Sequence, residues 1–192
     1  MKHGFVRGAD GTLISFDPPG STATTAVSIN ANGTIAGYYQ LKDIVRGFAR
    51  QPNGTIVTFD PPGSTSTIAQ SINNAGAITG YYKANGRTFG FVRDAGGNFT
   101  SFEAGFSTFP TGINAAGAIT GSYVDASGTS GHNFVRSPGG SITLFDPPSL
   151  PPPGIFCGGS AFPTSINDNG VITGWCNRKT AVFAIVGWVR LP

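Results

Sequence analysis

The chain has 192 residues, the length of one domain or at most two, with 12 Lys and Arg against 9 Asp and Glu and only 11% of residues charged. It carries 29 Gly and 14 Pro, yet 39% hydrophobic residues, 15 Phe and a net charge of +3 argue against disorder. Gly, Pro, Asn and β-branched residues interrupt every stretch a helical bundle would need, no apolar run nears the ~20 residues of a membrane-spanning helix, and Lys and Arg are scattered rather than clustered as a nucleic-acid footprint requires.

The first element, Gly4-Phe5-Val6-Arg7, reads as a strand, and a second ends at Phe16-Asp17-Pro18-Pro19-Gly20, where two prolines remove ladder donors and stop it. A third pattern, Ile29-Asn30-Ala31-Asn32-Gly33-Thr34-Ile35-Ala36-Gly37-Tyr38-Tyr39, reads as two strands around a tight turn. All three then recur. Gly-Phe-Val-Arg returns as Gly47-Phe48-Ala49-Arg50, Gly90-Phe91-Val92-Arg93, Asn133-Phe134-Val135-Arg136 and Gly187-Trp188-Val189-Arg190, so the arginines are spaced by 43, 43, 43 and 54 residues. Phe-Asp-Pro-Pro returns at Phe59 and Phe145, with a degraded copy at Phe102-Glu103. The Ile-Asn pattern returns at Ile72, Ile113 and Ile166.

The second unit predicts four strands: Gln70 to Asn73, Ala77 to Tyr82, Phe89 to Arg93 and Phe99 to Glu103. A period near 43 with four strands per unit is the pattern of a β-propeller blade. The expected fold is therefore all-β: a small β-propeller of four blades, each of about four antiparallel strands, closed by mixed N- and C-terminal strands. A single repeat domain spans 1–192, with units near 4–46, 47–89, 90–132 and 133–186 and a closing strand at 187–190. A solenoid or a stack of hairpins is the alternative. The count comes to seventeen strands, one more than four blades of four, because 187–190 duplicates 4–7. The surplus strand adds to an edge, lies beside the last blade, or pairs with another subunit.

Gly-Phe-Val-Arg, Gly-Thr-Leu-Ile-Ser-Phe-Asp and Ser-Ile-Asn-Ala-Asn-Gly-Thr-Ile-Ala-Gly-Tyr-Tyr together resemble the bacterial extracellular repeat of the HAF family, named for a His-Ala-Phe triplet. Here the triplet positions read His3-Gly4-Phe5 and His132-Asn133-Phe134, keeping the His but not the Ala. The resemblance covers essentially the whole chain and implies export and a repeated β fold. It supplies no catalytic residue to transfer. Met1-Lys2-His3 leads straight into patterned sequence with no apolar leader. The expectation is a secreted protein in its mature form, favoured over a cytosolic one by the Gly, Ser, Thr, Asn and Phe richness.

Asp17, Asp60, Glu103 and Asp146 share one repeat position. Converging on an axis they would suit a hard cation such as Ca²⁺; the favoured reading is that each caps its own loop. The repeated arginines would suit acidic ligands as a ring of guanidinium forks, but are better read as ending a strand, lying over a neighbouring aromatic and pairing with a local acid. Tyr38, Tyr81, Ser122 and Trp175 occupy the first ring position of the Gly-Tyr-Tyr strand, and Tyr39, Tyr82, Tyr123 and Cys176 the second. Alternation along a strand sends one of each pair into the core and the other to the opposite face. Rings with a polar tip suit stacking on sugars, so Tyr38, Tyr81 and Trp175 are candidate glycan contacts.

The last unit is longer, 53 residues from Asn114 to Asn167 against 43 and 41 earlier, and the insertion carries Ile155, Phe156 and Cys157. Phe156, with Ile155 and Phe162, joins the candidate surface. In an oxidising compartment a Cys157–Cys176 disulfide is the economical reading, with two separately buried thiols as the alternative. No Ser/His/Asp pattern, nucleophile elbow or zinc spacing is present, so no catalytic residue is assigned. Three functional readings follow. The first is a binding or scaffold module for a glycan or cell-surface polymer. The second is an extracellular polysaccharide lyase or hydrolase using acids and Arg at the channel mouth. The third is a structural protein that forms homo-oligomers through its surplus terminal strand.

Overall fold

The computed structural model describes residues 1–128, 131–146, 157–178 and 184–191, with 157–160, 177–178 and 184–188 described by backbone alone. Strands β1 (Gly4–Arg7) and β2 (Leu13–Phe16) form a two-stranded sheet. The first full unit is β3 (Ala23–Ile29), β4 (Ile35–Leu41), β5 (Ile44–Arg50) and β6 (Ile56–Phe59). The second is β7 (Ser66–Ile72), β8 (Ile78–Ala84), β9 (Arg87–Arg93) and β10 (Phe99–Phe102). The third is β11 (Ser107–Ile113), β12 (Ile119–Val124), β13 (Gly131–Arg136) and β14 (Ile142–Phe145). The last sheet holds β15 (Cys157–Ile166), β16 (Ile172–Arg178) and β17 (Ala184–Arg190). Each unit is an antiparallel meander, and no helix occurs among the described residues.

The turns have a local cause. In the second unit Asn73 Oδ1 accepts from Ala77 N, Gly76 N donates to Asn73 O, and Gly76 takes φ 82°, where a side chain would be strained. The same turn returns at Asn30, Asn114 and Asn167. Before each turn, the first strand of the unit carries a β-bulge, between Ala69 and Ser71 in the second unit. The bulged carbonyl of Ile68 presses on Gly80 so closely that a Cβ there would collide with it, which accounts for the glycine before each pair of rings.

Units stack through a repeated aromatic joint. Phe48, Phe91 and Phe134 are fully buried, and each meets edge-on a phenylalanine from the outer strand of the preceding unit. The ring pairs are Phe16–Phe48 at 5.9 Å, Phe59–Phe91 at 6.3 Å and Phe102–Phe134 at 5.9 Å. Ala36 and Ala49 of the first unit pack against Ala69 and Ile72 of the second. A single parallel bridge, Ser107 to Thr88, stitches the second unit to the third.

The expected ring closure is not what the sheets show. β17 fills the third place beside β16, pairing Thr173 with Val189 and Gly174 with Trp188. The N-terminal hairpin therefore does not complete the last sheet. It stands alone before the first unit, attached by the bridge from Lys2 to Ala23 and a hydrogen bond from Thr24 N to Lys2 O. The physical reason is the duplication itself: β1 and β17 carry the same strand pattern, and the strand closer in sequence takes the edge.

Candidate functional site

The four repeat acids are not brought together. Each is engaged by a nitrogen-bearing side chain from the neighbouring stretch of its own hairpin: Asp17 by the His3 imidazole at 2.5 Å, Asp60 by Arg46 at 3.0 Å, Glu103 by Arg87 at 2.6 Å and Asp146 by the His132 imidazole at 3.0 Å. Asp17 also accepts from Thr24 Oγ1. That hydrogen bond, and then the one to His3, hold its carboxyl below the usual carboxylate range. No three His, Cys, Asp or Glu side chains gather in a metal-binding cluster among the described residues. The pairing is legible in the sequence after the fact. His3, Arg46 and His132 each stand 14 residues before their acid, a spacing set by the hairpin register.

The repeated arginines serve the stack. Arg50 lies over Phe16, Arg93 over Phe59, Arg136 over Phe102 and Arg190 over Phe145, at 4.6–5.0 Å from the ring centroids. Their Nη1 groups donate to backbone carbonyls, Arg50 to Gln51, Arg93 to Asp94 and Arg136 to Ser137, not to an acid. Burial lowers the Arg136 pKa. Each outer-strand phenylalanine from the first three hairpins is thus held at its edge by a ring and on its face by a guanidinium.

The four asparagines carry a role that the sequence reading missed. Beyond closing their own turns, Asn30 Nδ2 donates to Asn73 O, Asn73 Nδ2 to Asn114 O and Asn114 Nδ2 to Asn167 O, at 3.0–3.1 Å. The ladder clips unit to unit. The signal available was that this Asn never varies among the four copies, though the Ile and Gly positions of the motif are equally constant and so did not set it apart. A different asparagine, Asn133, stands where Gly4, Gly47 and Gly90 stand in the other copies. It is fully buried, and neither its Oδ1 nor its Nδ2 has a partner among the described groups.

The ring pairs divide as strand alternation dictates. Tyr39, Tyr82, Tyr123 and Cys176 are buried, whereas Tyr38, Tyr81 and Trp175 are half-buried on the other face. Tyr82 stacks on Phe89 at 5.4 Å and donates its hydroxyl to Ser101. On the half-buried face, Tyr81 meets Phe109 of the next unit edge-on at 5.2 Å, and Trp175 stacks on Phe162 at 4.5 Å. Burial raises the Tyr81 pKa, with the Tyr38 phenol adding to it and a hydrogen bond to Gln70 opposing. These rings hold equivalent places on the second strands of the first, second and last units, so they form one series along the stack. Phe156 and Ile155 lie outside the described residues, as does the side chain of Cys157.

No family model matches the chain, and no curated protein matches it. Among solved structures it is similar to virginiamycin B lyase from Staphylococcus aureus, at 14% identity and TM-score 0.56, over 97% of this chain and 62% of that one. It is also similar to TolB from Acinetobacter baumannii, at 16% identity and TM-score 0.59, over 95% of this chain and 48% of that one. Both neighbours are β-propeller proteins, so the fold is all-β and propeller-like. The chain spans about half to three fifths of the length of these structures.

Proposed function

We propose that this chain is an extracellular binding or scaffold module built of propeller blades, and that the series of half-buried rings on their second strands takes a glycan. The observation that carries this reading is the equivalent placement of Tyr38, Tyr81 and Trp175, backed by Phe109 and Phe162. A repeated aromatic platform suits a repeating polymer, because each sugar presents an apolar face to a ring and hydroxyls to its polar rim. Ser122 in the third unit is the one gap in the series. Export accords with the composition and with a Cys157–Cys176 bridge. In the strand register Cys157 stands opposite Arg178 and Cys176 opposite Ala161, so the bridge rests on the oxidising compartment and not on the pairing.

The lyase or hydrolase alternative has one foothold, the His3–Asp17 and His132–Asp146 pairs, each an imidazole hydrogen-bonded to a carboxyl group. A glycan-array screen of the oxidised protein, with metal and with chelator, separates the two. Binding that Tyr38→Ala, Tyr81→Ala or Trp175→Ala weakens at least about tenfold, with the circular dichroism unchanged, is the expected result. Turnover of a bound polymer that His132→Ala abolishes would favour the enzyme. A blank array overturns the glycan reading.

A further inference from the structure

The two ends of the stack expose the two halves of its own internal joint. Phe5 is 65% exposed, whereas its counterparts Phe48, Phe91 and Phe134 are fully buried. Ile29 is 56% exposed, against 6% for Ile72 and 7% for Ile113 and Ile166. Phe5, Val6 and Arg7 of β1, with Ala26, Val27, Ser28, Ile29 and Ile35 of the first unit, line a cleft of about 230 Å³. Among the described residues no strand pairs with the other edge of β1. In the full units, the strand beside the Gly-Phe-Val-Arg strand is the Gly-Tyr-Tyr strand, and the Ile-Asn strand lies next to that. At the other end no fourth strand joins β15–β16–β17 among the described residues, and Ser165, Asn167 and Thr173 are exposed where the interior copies Asn73, Asn114, Thr79 and Thr120 are buried.

We propose that a second copy of this chain fills that cleft, its β15–β16 hairpin pairing with the free edge of β1 so that β1–β2 takes the place of β17. The blade so made is complete, with two strands from each copy. The occupant is argued from the molecule's own repeated joint, whose groups recur at the two ends, with β17 and Arg190 holding in the single chain the places that β1 and Arg7 would take. The ladder continues if Asn167 Nδ2 donates to Asn30 O, as Asn30, Asn73 and Asn114 do to their followers. Ile29 N meets Ser165 Oγ, as Ile72 N meets Ser28 Oγ and Ile113 N meets Ser71 Oγ. Thr173 covers Ala26 and Ile29, as Ala36 covers Ala69 and Ile72. In the β16–β17 register, replacing β17 by β1 sets Phe5 opposite Gly174 and Arg7 opposite Ile172. Arg7 then reaches the Phe145 ring that Arg190 covers in the single chain, whereas among the described residues no ring lies under Arg7. The contact is head to tail, so it propagates into a ring where the rotation closes and into an open filament where it does not.

Sedimentation over a wide concentration range tests this without reference to any ligand. The expected result is reversible association that strengthens about tenfold or more when β17 is weakened by Val189→Pro or removed by deleting residues 184–192. Ile29→Lys, in a chain with native circular dichroism, is expected to abolish it. A single monomer mass at every concentration in both the full chain and Val189→Pro overturns the proposal, whether the ends stay apart or one chain closes on itself. Association that survives Ile29→Lys overturns it equally, by placing the contact elsewhere.

Discussion

The joint between the first and second units and the open face ahead of the first unit are built from the same motif, and they differ in what covers them. Ile72 is buried in one cluster with Ala36 and Ala49, and Ile29, at the equivalent place in the bulged strand β3, faces solvent. Both isoleucines end a strand, precede an asparagine turn and pair with an isoleucine across the hairpin. Local sequence therefore sets local conformation in both places, while burial, and with it most of the stabilisation, comes from the neighbouring unit. This is the quasi-one-dimensional logic of a repeat protein, in which each unit leans on the next.

The strongest way to sharpen the comparison is to truncate both isoleucines at a concentration where the chain is monomeric. Ile72→Ala is expected to cost about 3 kcal/mol in denaturant unfolding, because it opens a cavity at a filled joint. Ile29→Ala is expected to cost less than about 1 kcal/mol, as an exposed position does. Equal losses would break the comparison by showing that the open face is covered in solution.

A smaller contrast concerns the asparagine ladder. Asn73→Ala removes both the turn-closing acceptor and the inter-unit donor, with an expected loss of about 2 kcal/mol. Asn167→Ala removes only the turn bonds among the described contacts, so about half that loss is expected. The smallest effect is at the N-terminal hairpin, which Asp17 clips to the first unit through Thr24. The folded carboxyl titrates below its ordinary value, so the unfolded chain binds more protons in the window between. The stabilisation is then complete above about pH 4 and is lost as the pH falls through the folded value. Hydrogen exchange in β1–β2 is expected to rise on acidification before exchange in β8 or β9 does, and Asp17→Asn is expected to remove that pH dependence.

Much of this arrangement was legible in the repeat. Strand positions, the Asn-x-x-Gly turns and the division of ring pairs between two faces follow from spacing, because turn geometry and the two-residue strand period are local properties. The partners of the side chains were less so. The arginines' link to a ring was foreseeable from their periodicity, but their hydrogen bonds run to backbone carbonyls. The acids instead meet His3, Arg46, Arg87 and His132, whose positions follow from register across a hairpin.

By itself the sequence determined the repeating four-strand unit, its turns and which residue of each pair turns inward, since all of these are fixed within a few residues of chain. Only the tertiary structure decided which copy of the duplicated strand holds the edge of β16. Two near-identical strands compete for one ladder there, and proximity along the chain, which no motif encodes, gives the edge to β17 and leaves β1 paired, among the described strands, with β2 alone.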